Sequence, residues 1–115
     1  MSDSIYKEIN PEDYKDRFAD GGEDHLLLDV RTVEEYEEIR IPGAVNIPLD
    51  EVTTRLDEIT EAAGDKPIVL VCRSGGRSAM AAQALRGSGV TDIELYNLET
   101  GTMGWAKQKF PTEEG

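Results

Sequence analysis

The one thiol of the chain, Cys72, heads the run Cys72-Arg73-Ser74-Gly75-Gly76-Arg77-Ser78. That run links an apolar, β-branched stretch to a helix-forming one, and a strand-loop-helix junction turns successive backbone N–H groups toward one point above the helix N-terminus. Gly75 and Gly76 permit backbone angles and a close approach that side chains would block. A thiol at the mouth of such a cradle ionises more easily, stabilised by amides, by the positive helix end and by Arg73 or Arg77. The chemistry this suggests is nucleophilic attack by a thiolate on a group with a thiolate-like leaving species, which needs no acid–base dyad and matches the absence of a nearby histidine. A lone cysteine at a strand end is otherwise an inert buried thiol; the glycine pair, the arginines and the helix start that follow Cys72 favour the reactive reading. Arg77 is a substrate ligand or a solvent-facing residue of the first helical turn, and Arg73 rims the pocket.

The elements that must hold this loop follow from patterning. Ile68-Val69-Leu70-Val71, after Pro67, is β-branched and uninterrupted, as expected of a central strand. Ser78 to Arg86 has helix formers and no breaker, with Ala79, Ala82 and Leu85 on one side and Gly87 and Gly89 beyond. Leu26 to Val30, bounded by turn signals, is a second strand. Ile5 to Ile9 is a short edge strand, Ala44 to Ile47 a brief one and Ile93 to Tyr96 the last. Asn10 caps a helix that has Pro11 at its first position and buries Tyr14 and Phe18. Thr32 to Glu35 forms a capping box, so a helix covers Val33 to Glu38. Val52, Leu56 and Ile59 have the spacing of a surface helix ending near Gly64. Met103 to Phe110 is a last helix anchored by Trp105. Strands alternating with helices predict an α/β fold, a mainly parallel sheet covered on both faces.

Asp29 and Arg31 flank a strand end, where sheet enzymes place functional groups. Their expected role is support: Asp29 accepts loop hydrogen bonds and Arg31 reaches Glu35. His25 precedes its strand and reads as an exposed polar residue, Met80 and Met103 read as packing, and the acidic run Glu34, Glu35, Glu37, Glu38 reads as a solvated helix face with no metal site.

With 115 residues there is room for one domain, 1–115. Acids number 24 against 12 bases, a net charge of -12, which disfavours a nucleic-acid partner. From Lys66 to Thr91, however, Lys66, Arg73, Arg77 and Arg86 meet no acid, a local balance of +4 in an otherwise acidic chain. An anion is the expected visitor to that island. No stretch approaches the roughly eighteen apolar residues of a membrane span, and the first ten residues lack a leader's pattern. One cysteine makes no internal disulfide and no C-x-x-C pair, so a reducing cytoplasm is the expected location.

The Cys72 to Ser78 loop resembles the active-site loop of the rhodanese family. Other pieces follow in family order: Leu28-Asp29-Val30-Arg31 with Glu34 to Tyr36, Ile41-Pro42-Gly43-Ala44 with Asn46-Ile47-Pro48, Tyr96-Asn97-Leu98-Glu99, and Gly101 to Trp105. The resemblance spans residues 5–110 and implies a rhodanese-like sheet of about five strands. It implies a sulfurtransferase in which Cys72 takes a sulfane sulfur from thiosulfate or a persulfide donor. The resulting persulfide passes that sulfur to cyanide, another thiol or a sulfur-carrier protein. Arg73, Ser74, Gly75, Gly76, Arg77 and Ser78 would hold the substrate, Asp29 and Arg31 would support the site, and a monomer without cofactor, metal, nucleic-acid or membrane partner is expected. A sulfur-relay or regulatory binding module is the second reading. A small phosphatase or arsenate reductase is the third, disfavoured because four residues separate Cys72 from Arg77 where the related phosphatases have five. Two departures, Arg40 in place of the family's histidine and Thr100 in place of a glycine, bear on substrate range.

Overall fold

The computed structural model describes residues 5–115. Five strands, β1 (Lys7–Ile9), β2 (Leu26–Asp29), β3 (Val45–Asn46), β4 (Ile68–Val71) and β5 (Leu95–Leu98), form one parallel sheet in the order β1-β5-β4-β2-β3. The best apolar run, β4, lies at the centre and is buried on both faces, as a strand between two parallel neighbours must be. The helices are α1 (Pro11–Tyr14), α2 (Val33–Glu38), α3 (Leu56–Ala63), α4 (Gly76–Gly87) and α5 (Gly101–Lys107).

Strand alternation sorts the core into two layers. Leu26, Leu28, Ile68, Leu70 and Leu95 face Ile59 and Ala63 of α3 and Ala81, Ala82 and Leu85 of α4. Leu27, Val69, Val71, Tyr96 and Leu98 face Tyr14, Phe18 and Trp105. Cys72 continues the parity of Ile68 and Leu70, so its side chain belongs to the α4 layer.

Local signals act as their chemistry dictates. Asn10 Oδ1 accepts from Asp13 N at 2.7 Å. Thr32 and Glu35 form both halves of the capping box, and α2 has the expected bounds. Other elements differ from the sequence reading. The first helix widens after Tyr14 into a π-turn, Lys15–Ala19, in which Asp20 N reaches back to Lys15 O. The segment before α3 is a short 3-10 turn, Leu49–Glu51. The last strand lies two residues later than Ile93 to Tyr96, because Leu95 pairs with Ile68; a shift of two keeps each side chain on its face. Helix α5 starts at Gly101, ahead of Met103, because its first amides donate to the Cys72 loop.

Three side chains sit otherwise than expected. His25 is half-buried: Nδ1 donates to Glu23 O at 2.9 Å, so Nε2 accepts from the Tyr14 hydroxyl at 2.7 Å, and burial pushes its pKa down. Met80 and Met103 are exposed, at 58% and 48%, and do not pack in the core. Arg40 exchanges two backbone hydrogen bonds with Glu113, pairs with its carboxylate and lies over the Tyr36 ring, so it ties down the C-terminal segment. Among the described residues no helix is long and apolar enough to cross a membrane.

Thr100, which caps α5, is β-branched with φ +60°. Such strain costs on the order of 1–3 kcal/mol, against roughly 0.5–1 kcal/mol for the entropy of a glycine. Thr100→Gly is therefore expected to stabilise the fold by about 1 kcal/mol. Urea unfolding checks this as a higher midpoint with an unchanged slope.

Candidate active site

The carboxyl end of the sheet carries the site. Directly after β4, Cys72 Sγ accepts the Gly75 N–H at 3.0 Å, closing the loop on itself. Gly75, at φ +115°, caps α4, and that left-handed turn swings its amide toward the sulfur. Asn97 Nδ2 donates to Gly75 O at 3.2 Å and fixes the turn from below, and the Ser78 hydroxyl lies 3.1 Å from the same oxygen. From behind, Thr102 N donates to Cys72 O at 2.8 Å and Met103 N to Arg73 O at 3.1 Å. Gly101, at φ +58°, makes that approach possible, because a Cβ there would run into the carbonyls of Cys72 and Arg73.

Cys72 is 1% exposed. Burial pushes its thiol pKa up, and the Ser78 hydroxyl with the N–H groups of Ser78, Gly75 and Ser74 pulls it down; the hydrogen bonds win, and the pKa lies below the ordinary thiol value. The thiol is thus both packed and aimed at by amides. Ser78 Oγ lies 3.4 Å from Sγ and also contacts Asn97 Oδ1. Asn97 Nδ2 faces the Glu8 carboxylate and Gly75 O, both acceptors, so its oxygen must face Ser78. The single hydroxyl proton of Ser78 has Asn97, Gly75 and the sulfur as competing acceptors.

The arginines divide. Arg73 is exposed at the rim of a cleft of about 90 Å³, lined also by Arg31, Glu35, Thr102 and Met103. Glu38 also lines this cleft, which borders the loop at Arg73 and does not include Cys72 in its lining. Organic-ligand pockets run to roughly 300–1,000 Å³, so the cleft has room only for a small anion or the tip of a longer molecule. Arg77 is engaged by Glu35 through two bonds, at 2.7 and 3.0 Å. Arg31 does not reach Glu35; it forms a buried fork with Asp29, Nε to Oδ1 at 2.9 Å and Nη2 to Oδ2 at 2.7 Å, and also donates to Ile39 O. Fork geometry over two residues at a strand end wins over the turn of helix separating Arg31 from Glu35. Asn46 Nδ2 ties the same corner to the carbonyls of Asp29 and Arg31, at 3.0 Å each.

The +4 island of the sequence dissolves in three dimensions. Lys66 lies before β4, at the end away from Cys72, and Arg86 sits nine residues along α4, roughly 13 Å from Arg77, donating to Ile5, Val90 and Ile93 carbonyls. Only Arg73 and Arg77 stay at the loop. Sequence reasoning took Glu35 for a cap and a solvated acid and missed its hold on Arg77; the 42-residue separation carries no local signal. Asn97 and Glu8 were also missed. Their legible trace is strand parity: Asn97 shares a face with Leu95, and Glu8 is its partner in the β1–β5 register.

A family model for the rhodanese-like domain matches residues 10–108. The chain belongs to the rhodanese family. A sulfurtransferase of Allochromatium vinosum is 36% identical over 107 residues, covering 93% of this chain and 94% of that protein. YrkF of Bacillus subtilis, proposed to be a sulfur carrier protein, is 40% identical over 102 residues, 89% of this chain; the match spans only 52% of YrkF. The crystal structure of a thiosulfate sulfurtransferase from Pseudomonas aeruginosa superposes with a TM-score of 0.83 over 96% of this chain and 20% of that one, at 24% identity, a likeness of fold. The rhodanese domain thus presents its cysteine loop on a fold shared with proteins of differing length.

Two outcomes follow from this geometry. Gly75→Ala strains the turn by on the order of 1–3 kcal/mol and withdraws an amide from Sγ, so the thiol pKa should rise; the pH dependence of alkylation reads it. Glu35 is held down to about 2 from an ordinary 4.5, chiefly by Arg77 and further by the Thr32 N–H, with burial opposing. A folded value below the unfolded one means stability fully present above pH 4.5 and lost as pH falls toward 2. Urea midpoints measured at about pH 5 and about pH 3 should fall less in Glu35→Gln than in the unmodified protein.

Proposed function

We propose that this rhodanese domain is a sulfurtransferase that moves a sulfane sulfur from thiosulfate or a persulfide donor to a thiophilic acceptor through a persulfide on Cys72. The observation that carries the proposal is the Gly75 N–H on Sγ at 3.0 Å, joined by the Ser74 and Ser78 amides that lower the thiol pKa. A thiolate held by pre-aimed donors is a nucleophile at neutral pH and loses little in reorganisation when charge moves one atom outward.

In the first half-reaction the Cys72 thiolate bonds to the outer sulfur of the donor while the donor's sulfur–sulfur bond breaks. From thiosulfate, sulfite leaves with the electron pair. From a persulfide R–S–SH, the inner sulfur leaves with the pair and takes the proton, giving R–SH. Either way Cys72 carries –S–S⁻. In the second, a nucleophile such as cyanide or another thiolate bonds to the outer sulfur and the Cys72 thiolate is restored. The amides from Arg73 to Ser78 cradle the added sulfur, with Gly76 leaving the approach open, and Arg73 at the rim meets the incoming anion. Asp29 and Arg31 hold the neighbouring strand end, and breaking their buried fork would cost on the order of 3–5 kcal/mol.

A second reading, a sulfur-relay module with a protein acceptor and slow small-molecule turnover, is favoured by the 1% exposure of Cys72. The likeness to YrkF supports it further. The two readings share the persulfide and differ in acceptor.

Thiosulfate or a persulfide donor should add one sulfur atom to the intact protein, removable by cyanide, and Cys72→Ser should take up none. Intact-mass measurement before and after cyanide checks both. A Cys72→Ser protein turning over at the original rate would overturn the proposal.

A further inference from the structure

The charges around Cys72 decide which donor the site takes. Two guanidinium groups lie at the loop, and they are not equivalent. Arg77 is held by both oxygens of Glu35, and its charge is kept on chiefly by that carboxylate, with Cys72 and Asp29 as further negative neighbours. Its charge is therefore answered before any substrate arrives. Arg31, the other guanidinium lining the cleft, is answered in the same way by Asp29. Arg73 takes part in no ion pair among the described residues and is exposed at the rim. Glu38, which lines the same cleft, is likewise in no ion pair among the described residues, so Arg73 offers a visitor no net positive charge, on a chain whose net charge is -12.

Thiosulfate brings two negative charges and must release sulfite with both. A persulfide donor carries at most one negative charge on its sulfur pair, and none in the reacting form R–S–SH, and it releases a thiol. The dianion gains from Arg73 and is repelled by the unpaired Glu38 carboxylate on the same cleft wall and by the acidic field beyond, while Arg77 and Glu35 cancel each other. We infer that Glu35 sets donor choice: by neutralising Arg77 it makes the site poor for the thiosulfate dianion and leaves persulfides as the donors it takes. This rests on the sulfur-transfer reading of Cys72 and narrows its substrate class.

Glu35→Gln isolates the charge. Glutamine can still accept from Thr32 N at the cap, as the capping box allows, and can still accept one guanidinium N–H, so Arg77 stays in place with its charge uncovered. The experiment follows loading of Cys72 by intact mass, with thiosulfate and with cysteine persulfide, in the unmodified protein and in Glu35→Gln. The expected result is a rise of roughly tenfold in the ratio of kcat/KM for thiosulfate to kcat/KM for persulfide, carried by a lower KM for thiosulfate. An unchanged or falling ratio overturns the inference while leaving the persulfide chemistry standing. Failure of both donors to load either protein overturns the sulfur-transfer reading and this inference with it.

A second measurement needs no variant. In the unmodified protein kcat/KM for thiosulfate should rise with added potassium chloride, as salt screens the net repulsion, while that for cysteine persulfide changes less. A thiosulfate rate that falls with salt shows net attraction and contradicts the assignment.

Discussion

A buried sulfur is kept ionisable by backbone amides, and the rest of the structure follows from that balance. Packing Cys72 at the α4 layer of the core removes water from the thiol and by itself raises its pKa. Three N–H groups and a hydroxyl return more than the water gave. They can do so only if the six residues after Cys72 turn back on the sulfur within one tight loop, which requires a left-handed residue at Gly75 and a helix starting at Gly76. The guanidinium groups, the more obvious source of positive potential, are mostly engaged elsewhere: Arg77 by Glu35 and Arg31 by Asp29.

The loop cannot hold that shape alone, because it has few apolar contacts and several carbonyls to satisfy. Its support comes from two directions. Beneath it, β5 supplies Asn97, which pins Gly75 O and is itself held by Glu8 from the neighbouring strand. Behind it, α5 gives its first amides to the carbonyls of Cys72 and Arg73, with Trp105, 1% exposed, anchoring that helix in the opposite core layer. The edge strand and the last helix, distant from Cys72 in sequence, therefore set the geometry at the sulfur.

Much of this was legible from residue types. The β-branched run 68–71 announced the central strand, Thr32 and Glu35 announced α2 to the residue, and the cysteine with its glycine pair announced the cradle. What was not legible depends on long-range pairing. The register Ile68–Leu95 moved β5 by two residues and so revealed Asn97 beneath the loop. Charge counting along the chain placed Lys66 and Arg86 beside Cys72, whereas strand and helix rise carry them to the far ends of their elements. His25 looked exposed because nothing local shows that Tyr14 and Phe18 close around it.

The account stands on the ionisation of one thiol inside the folded protein. Titrating the ultraviolet thiolate absorbance of the unmodified chain, with Cys72→Ser as the blank, measures it directly. A midpoint below that of an ordinary cysteine thiol, measured on a short unstructured peptide under the same conditions, is the expected result, and a midpoint at or above the peptide's would mean that burial outweighs the amides and that the loop holds an inert thiol.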